Sequence, residues 1–147
     1  MKDQSFTTAI LVDQSPEEVF NAINNVSGWW SGEIKGDTHM AGAGFTYRVP
    51  GVHFSRQEIT AFLPGKKIVW HVSESNLNFV KDESEWNGTD IIFEIGQKDG
   101  KTEVRFTHTG LLPTFECYNN CSAAWGMLVN RNLRNLIITG KDQPSPW

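Results

Sequence analysis

One long amphipathic helical pattern at the end of the chain, after a run of alternating segments, constrains the fold most. Residues 115–139 place apolar side chains at helical spacing on one broad face that includes Trp125 and Val129. Thr114 can cap the start of this helix, and Gly140 can end it. Because an apolar helix face has to be buried against another element, the pattern predicts a helix packed on a sheet.

The segments before that helix alternate apolar and polar residues and are separated by turn residues, as consecutive β-strands do. They are predicted at residues 6–12, 45–49, 54–62, 66–72, 90–95 and 102–108. Asp99-Gly100 between the last two segments indicates a tight hairpin, and residues 73–87 are interpreted as a loop that can include a short edge strand. Strands joined by short turns pair antiparallel, so we predict an α+β fold with a curved antiparallel sheet of about six or seven strands.

Short helical structure is predicted after the first strand. Ser15 can cap a helix, Pro16 suits its first position, and Glu18 completes a capping box. The pair Trp29-Trp30 lies between glycines and predicts a short irregular element that packs over its surroundings.

Composition indicates one globular domain over residues 1–147, with residues 141–147 as a loose tail. A hydrophobic fraction of 39% with 20% charged residues is typical of globular rather than disordered chains. The net charge of -4 and the scattered basic residues do not favour binding to nucleic acid or an anionic membrane. No apolar stretch reaches the length of a membrane span and no signal-peptide pattern follows Met1, so we expect a cytoplasmic location without membrane insertion.

The aromatic content is high for a small domain, with six Trp and nine Phe. A buried indole N–H needs a hydrogen-bond partner, which makes Trp a demanding residue to place in a small core. The tryptophans are consistent with a large cleft that has flat apolar walls, and equally with an aromatic-rich core. A curved sheet that grips a long helix favours a cavity between the two.

Several pieces of the sequence, in this order and spacing, resemble the activator of heat-shock protein 90 ATPase homologue family. The pieces are residues 15–20, the Trp29-Trp30 element, residues 63–70, residues 102–111 and the helix centred on Trp125. That family belongs to the START-like (SRPBCC) helix-grip superfamily, and the match covers nearly the whole chain. The resemblance implies a single helix-grip domain of a stand-alone bacterial type. It does not select a function, since the superfamily includes carriers, cyclases, hydrolases and cochaperones.

The leading hypothesis is a non-enzymatic protein that binds an apolar or aromatic small molecule between the sheet and the C-terminal helix, without a cofactor. No catalytic motif occurs in the sequence, which favours binding over catalysis. The predicted walls of the site are Trp29, Trp30, Phe45, Tyr47, Trp70, Phe93, Phe106, Trp125 and Val129, and the predicted polar anchors are His108 and Asn132.

Each polar anchor has two interpretations. His108 follows Val104 and Phe106 on the inward side of a strand, where it can act on a ligand or simply hydrogen-bond a Trp or backbone group. Asn132 lies near the middle of the apolar helix face. It can orient a ligand, or it can bond a buried water or backbone group, since an unsatisfied amide costs about 1–3 kcal/mol.

Two alternative functions remain beside ligand binding: a cyclase or hydrolase with His108 as the acid-base group, and a cochaperone-like module for a heat-shock protein 90 type ATPase in a stress response. Eukaryotic family members that activate this ATPase carry an additional N-terminal domain, for which the 147 residues leave no room. A homodimer is a further possible assembly. Cys117 and Cys121 are interpreted as ordinary buried thiols, and no metal site is expected.

Overall fold

The computed structural model describes residues 6–29, 33–36, 40–49, 53–77, 88–109, 123 and 125–140. Seven strands form one antiparallel sheet in the order β1-β7-β6-β5-β4-β3-β2. The strands are β1 (Phe6–Val12), β2 (Glu33–Gly36), β3 (Gly44–Val49), β4 (His53–Leu63), β5 (Lys67–Leu77), β6 (Asp90–Lys98) and β7 (Lys101–Thr109). Helix α1 (Pro16–Asn24) and a 3-10 turn (Val26–Gly28) follow β1, and the C-terminal helix follows β7. This arrangement confirms the predicted α+β helix-grip architecture.

Helix α1 begins as the sequence predicts. The backbone N–H of Glu18 donates to Ser15 Oγ at 3.2 Å, and the backbone N–H of Ser15 donates to Glu18 Oε1 at 3.3 Å. This capping box satisfies donors that a helix start otherwise leaves without partners. The opposite side of the helix buries Val19, Phe20 and Ile23 in the core.

Replacing Ser15 with alanine is expected to lower the free energy of unfolding by about 1 kcal/mol, because the N–H of Glu18 loses its acceptor. Urea unfolding followed by circular dichroism measures this change. Ser73→Ala is the matched control, since the Ser73 hydroxyl is exposed and makes only a 3.4 Å contact with the Arg56 carbonyl. Equal losses from the two variants would show that the cap contributes nothing specific.

Strand β5 is longer than the sequence predicts, because a bulge interrupts its alternation. From Ser73 onwards the sequence indicates a loop that can include a short edge strand, but β5 itself continues to Leu77 and its pairing with β4 skips Ser73. Ser73 and Glu74 are both exposed, and Ser75 returns to the buried face. The strand predicted to end at Val72 therefore extends to Leu77, while residues 78–87 lie outside the described part of the chain.

Strand β2 is not among the strands predicted from the sequence. It has four residues and pairs with β3 at the edge of the sheet. A strand this short contains too few alternating positions to be recognised by its pattern.

The hairpin between β6 and β7 is confirmed. Asp99 and Gly100 have φ values of 53° and 78°, the left-handed conformation that a two-residue hairpin turn requires. On β7 the predicted inward residues Val104, Phe106 and His108 are buried, and so is Thr102 on the same side of the strand.

The described part of the C-terminal helix covers residues 125–139, and it is π-helical over Leu128–Leu133. Gly140 ends the helix with a φ of 71°, as predicted. The buried face consists of Trp125, Leu128, Val129, Asn132, Leu133, Leu136 and Ile137. The start of the predicted helix, with Cys117 and Cys121, lies outside the described residues, as does the tail predicted at 141–147.

Candidate functional site

Aromatic side chains form a continuous cluster on the buried face of the sheet. Neighbouring ring centroids are 4.7 to 5.3 Å apart along the series Phe45, Trp70, Phe93, Phe106 and Trp125. Trp29 stacks over Trp70 at 6.4 Å with an interplanar angle of 21°. We call these six residues the aromatic cluster. Each ring is buried and touches the next, so the structure brings these predicted wall residues together as part of the hydrophobic core.

Asn132 connects the C-terminal helix to the turn that carries Trp29. Its Nδ2 donates to the Trp29 carbonyl at 3.2 Å, and its Oδ1 accepts from Arg131 Nε at 3.2 Å. Trp29 is held in turn by its own Nε1–H, which donates to the Ile23 carbonyl at 3.2 Å. Of the two interpretations of Asn132, the structure supports the one in which the amide bonds a backbone group.

His108 is fully buried, with both ring nitrogens in hydrogen bonds to side chains. Trp125 Nε1–H donates to His108 Nδ1 at 3.1 Å, and His108 Nε2 lies 2.8 Å from Thr89 Oγ1. An indole N–H can only donate, so Nδ1 must be the acceptor. In the neutral ring the proton therefore resides on Nε2, which donates to Thr89.

This arrangement decides what the imidazole can do chemically. A general base needs a nitrogen lone pair within reach of a substrate proton. The lone pair of His108 Nδ1 is occupied by Trp125, and Nε2 carries the hydrogen bonded to Thr89. The described geometry therefore favours the interpretation in which His108 positions the C-terminal helix against β7.

A second group of buried side chains on the same face is polar, and of its members only Tyr47 is among the site residues predicted from the sequence. Tyr47, Ser55 and Ser75 are direct neighbours across β3, β4 and β5, and Gln57 is the next inward residue of β4. All are buried. We call these four residues the polar row. Gln57 pairs with Phe45, a member of the aromatic cluster, so the row and the cluster share one face of the sheet.

Most of the buried polar side chains of the sheet lie at one end of it. Strands β3, β5 and β7 finish at this end, where β4 and β6 begin, and it also carries Thr89 and His108. The opposite end is mainly apolar, with buried Ile68 and Val104, and α1 packs there through the contact between Phe20 and Phe62. The exception is Thr102 at the start of β7, whose hydroxyl donates to the Gln14 carbonyl at 2.6 Å. The buried face is therefore divided into an apolar end and a polar end.

Gln57 has an unusual environment within the polar row. Its Nε2 donates to Ser55 Oγ at 2.6 Å. Its Oε1 is buried and has no hydrogen-bond partner among the residues the structure describes. A buried acceptor without a partner costs about 1–3 kcal/mol, so this atom marks a place where a further donor would bind favourably.

Ser55 and Gln57 could have been recognised from the alternation of the predicted strand at 54–62, because they occupy the same face of the strand as the buried Ile59. Among the predicted site residues, Tyr47 and Val129 are also buried on the inner side, and Trp30 lies outside the described residues. The ligand-binding role of these residues stays a prediction.

Cavities lined by described residues include two at the surface, neither of which contains a predicted site residue. One, of about 620 Å³, lies between α1 and the β4–β5 turn and is lined by Ser15, Pro16, Glu17, Phe20, Asn21, Asn24, Phe62, Pro64 and Gly65. The other, of about 350 Å³, is lined by Lys35, Thr46, Arg48 and Phe54. We call the first the α1 cavity.

Two further observations concern the described residues alone. They contain no group of three or more His, Cys, Asp or Glu side chains arranged to hold a metal ion. Within the same part of the chain, every helix is too short or too polar to cross a membrane.

The fold is similar to several solved structures. The Aha1 dimer from Colwellia psychrerythraea matches at 24% sequence identity over 93% of this chain and 98% of that chain, with a TM-score of 0.75. DynU16, a putative protein in the dynemicin biosynthetic locus, matches at 16% identity over 99% of this chain and 51% of that chain, with a TM-score of 0.72. CalU16 from Micromonospora echinospora matches at 18% identity over 97% of this chain and 77% of that chain, with a TM-score of 0.64.

No protein-family model and no curated protein matches the sequence. At these identities the similarities show the fold alone, and at that level they agree with the predicted resemblance to Aha1-like proteins.

Proposed function

We propose that this chain, which has the helix-grip fold of Aha1-like and START-like proteins, binds an apolar or aromatic small molecule at the polar end of its buried sheet face. The observation that carries the proposal is the side chain of Gln57, fully buried next to the aromatic cluster with an acceptor atom that no described residue satisfies. A core that served packing alone would gain stability from an apolar residue at this position.

The composition of the polar end supports the proposal. Small-molecule sites are mostly apolar surfaces with a few converging polar groups that fix the orientation of the ligand. Here the edge of the aromatic cluster at Phe45 adjoins Tyr47, Ser55, Gln57 and Ser75. The cluster itself is in mutual contact, so the ligand would lie beside it and over the polar row.

Binding is expected to change the intrinsic tryptophan fluorescence in a saturable way when aromatic compounds are added, because Trp70 contacts Phe45 at the edge of the polar row. Native mass spectrometry of gently purified protein provides an independent readout, in which a bound compound adds its mass. Urea-unfolded protein at the same concentration is the control for optical absorption by the compounds. Equal quenching of folded and unfolded protein, with no added mass, would contradict the proposal.

An acid-base enzyme is less well supported by the geometry. Both nitrogens of His108 are engaged by Trp125 and Thr89. Catalysis through His108 would require these bonds to open during the reaction.

A cochaperone-like module, with a chaperone ATPase as partner, is the second candidate because the fold is shared with the Aha1 dimer. A partner or a second copy of the chain would need apolar surface. Exposed apolar side chains in the described part include Leu11, Met40, Leu63 and Ile138. A pull-down with a purified heat-shock protein 90 type ATPase tests this role, and recovery of no ATPase would exclude it.

A further inference from the structure

We propose that the ligand is a neutral molecule with a hydroxyl group on an apolar ring system, and that this hydroxyl binds the side-chain amide of Gln57. The inference rests on the proposed function and specifies the chemical class of the ligand. It depends on three features of the polar end: the burial of Gln57, the hydrogen-bonding capacity left on its amide, and the charge of its surroundings.

Gln57 cannot satisfy its amide with bulk water. It lies within β4, paired with Phe45 on one side and Val72 on the other, and it is fully buried. Its hydrogen-bond partner in the polar row is Ser55, whose hydroxyl lies 2.6 Å from Nε2.

One polar atom of the Gln57 side-chain amide lacks a hydrogen-bond partner whichever way the amide oxygen and nitrogen are assigned. As placed, Nε2 donates to Ser55 and Oε1 lacks a donor. If oxygen and nitrogen were exchanged, the Ser55 hydroxyl would donate to the oxygen, and the NH₂ group would lack an acceptor in its place. A hydroxyl group can donate and accept, so it serves both cases without carrying a charge.

The charge of the surroundings favours a neutral ligand. Among the described residues, the buried polar side chains are Asn24, Ser55, Gln57, Ser75, Thr89, Thr102, His108 and Asn132, and none is Lys, Arg, Asp or Glu. A buried carboxylate or phosphate would therefore meet no Lys or Arg among the buried side chains that the structure describes, and would lose its hydration without that compensation. An alcohol or phenol carries no such cost.

The test compares 2-naphthol with naphthalene by isothermal titration calorimetry on the full chain. We expect 2-naphthol to bind the unchanged protein about fivefold or more tightly, since the missing hydroxyl leaves a buried amide atom without a partner. In Gln57→Leu the preference is expected to fall below about twofold, while naphthalene binds at least as well as before. Gln97→Leu, at an exposed glutamine of β6, is the matched control and should keep the preference.

The outcomes separate this inference from the proposed function. Equal binding of the two compounds to the unchanged protein would overturn the hydroxyl inference and leave the proposed function standing. Binding of neither compound would overturn both. A preference for 2-naphthol that survives in Gln57→Leu would overturn the assignment of the hydroxyl to Gln57. Tighter binding of 2-naphthoate than of 2-naphthol would overturn the inference that the ligand is neutral. If Gln57→Leu loses its folded circular dichroism spectrum, Gln57→Met replaces it with the same expectation.

Discussion

Replacing Trp70 with alanine is expected to lower the free energy of unfolding by about 3–5 kcal/mol. The Trp70 side chain is fully buried in the middle of the aromatic cluster. Its ring centroid lies 4.9 Å from that of Phe93, 5.1 Å from that of Phe45 and 6.4 Å from that of Trp29. Truncation removes all of these contacts at once and leaves a cavity that rings on neighbouring elements cannot readily fill.

Urea unfolding followed by far-ultraviolet circular dichroism measures this loss without depending on the tryptophan that is removed. A loss of this size is a large share of the roughly 5–15 kcal/mol that stabilises a typical domain. Leu63→Ala is the control, since this side chain is 51% exposed. A change below about 1 kcal/mol for Trp70→Ala would contradict the placement of the cluster at the centre of the core.

Replacing His108 with alanine is expected to lower the free energy of unfolding by about 2–4 kcal/mol. The substitution removes a fully buried ring and deprives Trp125 Nε1 and Thr89 Oγ1 of their bonds to it. Because Trp125 belongs to the C-terminal helix and His108 to β7, the loss weakens the contact between helix and sheet.

His71→Ala is the matched control for this prediction. His71 Nδ1 lies 2.8 Å from Asp90 Oδ1, but its side chain is 38% exposed, and even a charged pair at such an exposed position contributes only about 0–1 kcal/mol. A structural role for His108 thus predicts a large difference between the two variants. Similar small losses would indicate that the imidazole is retained for chemistry rather than for packing.

The sequence predicts the regular elements of this fold well where local patterns are strong. The capping box at Ser15 and the hairpin at Asp99-Gly100 depend on residues close in the chain, and both are found in the structure. The buried face of the C-terminal helix follows from its helical spacing. The bulge at Ser73 could not be predicted in this way, because it depends on how β5 pairs with β4.

The candidate site is predicted less completely than the fold. The sequence analysis selected aromatic residues as walls of the site. The structure brings Trp29, Trp70 and Trp125 together, but as side chains of one packed core. The polar row depends on cross-strand neighbours that are distant in sequence, such as Ser55 and Ser75. Sequence alternation alone places each on an inward position without showing that they meet.

The most direct measurement of the central claim is a heteronuclear NMR titration of the ¹⁵N-labelled protein with 2-naphthol, followed through the side-chain amide signals. Binding at the polar end predicts that the largest shift belongs to the Gln57 amide, whose Oε1 gains a donor. The α1 cavity contains its own reporters, Asn21 and Asn24. If the Asn21 and Asn24 amides shift while the Gln57 amide stays unchanged, the ligand occupies the α1 cavity, and the proposed site at the polar end is wrong.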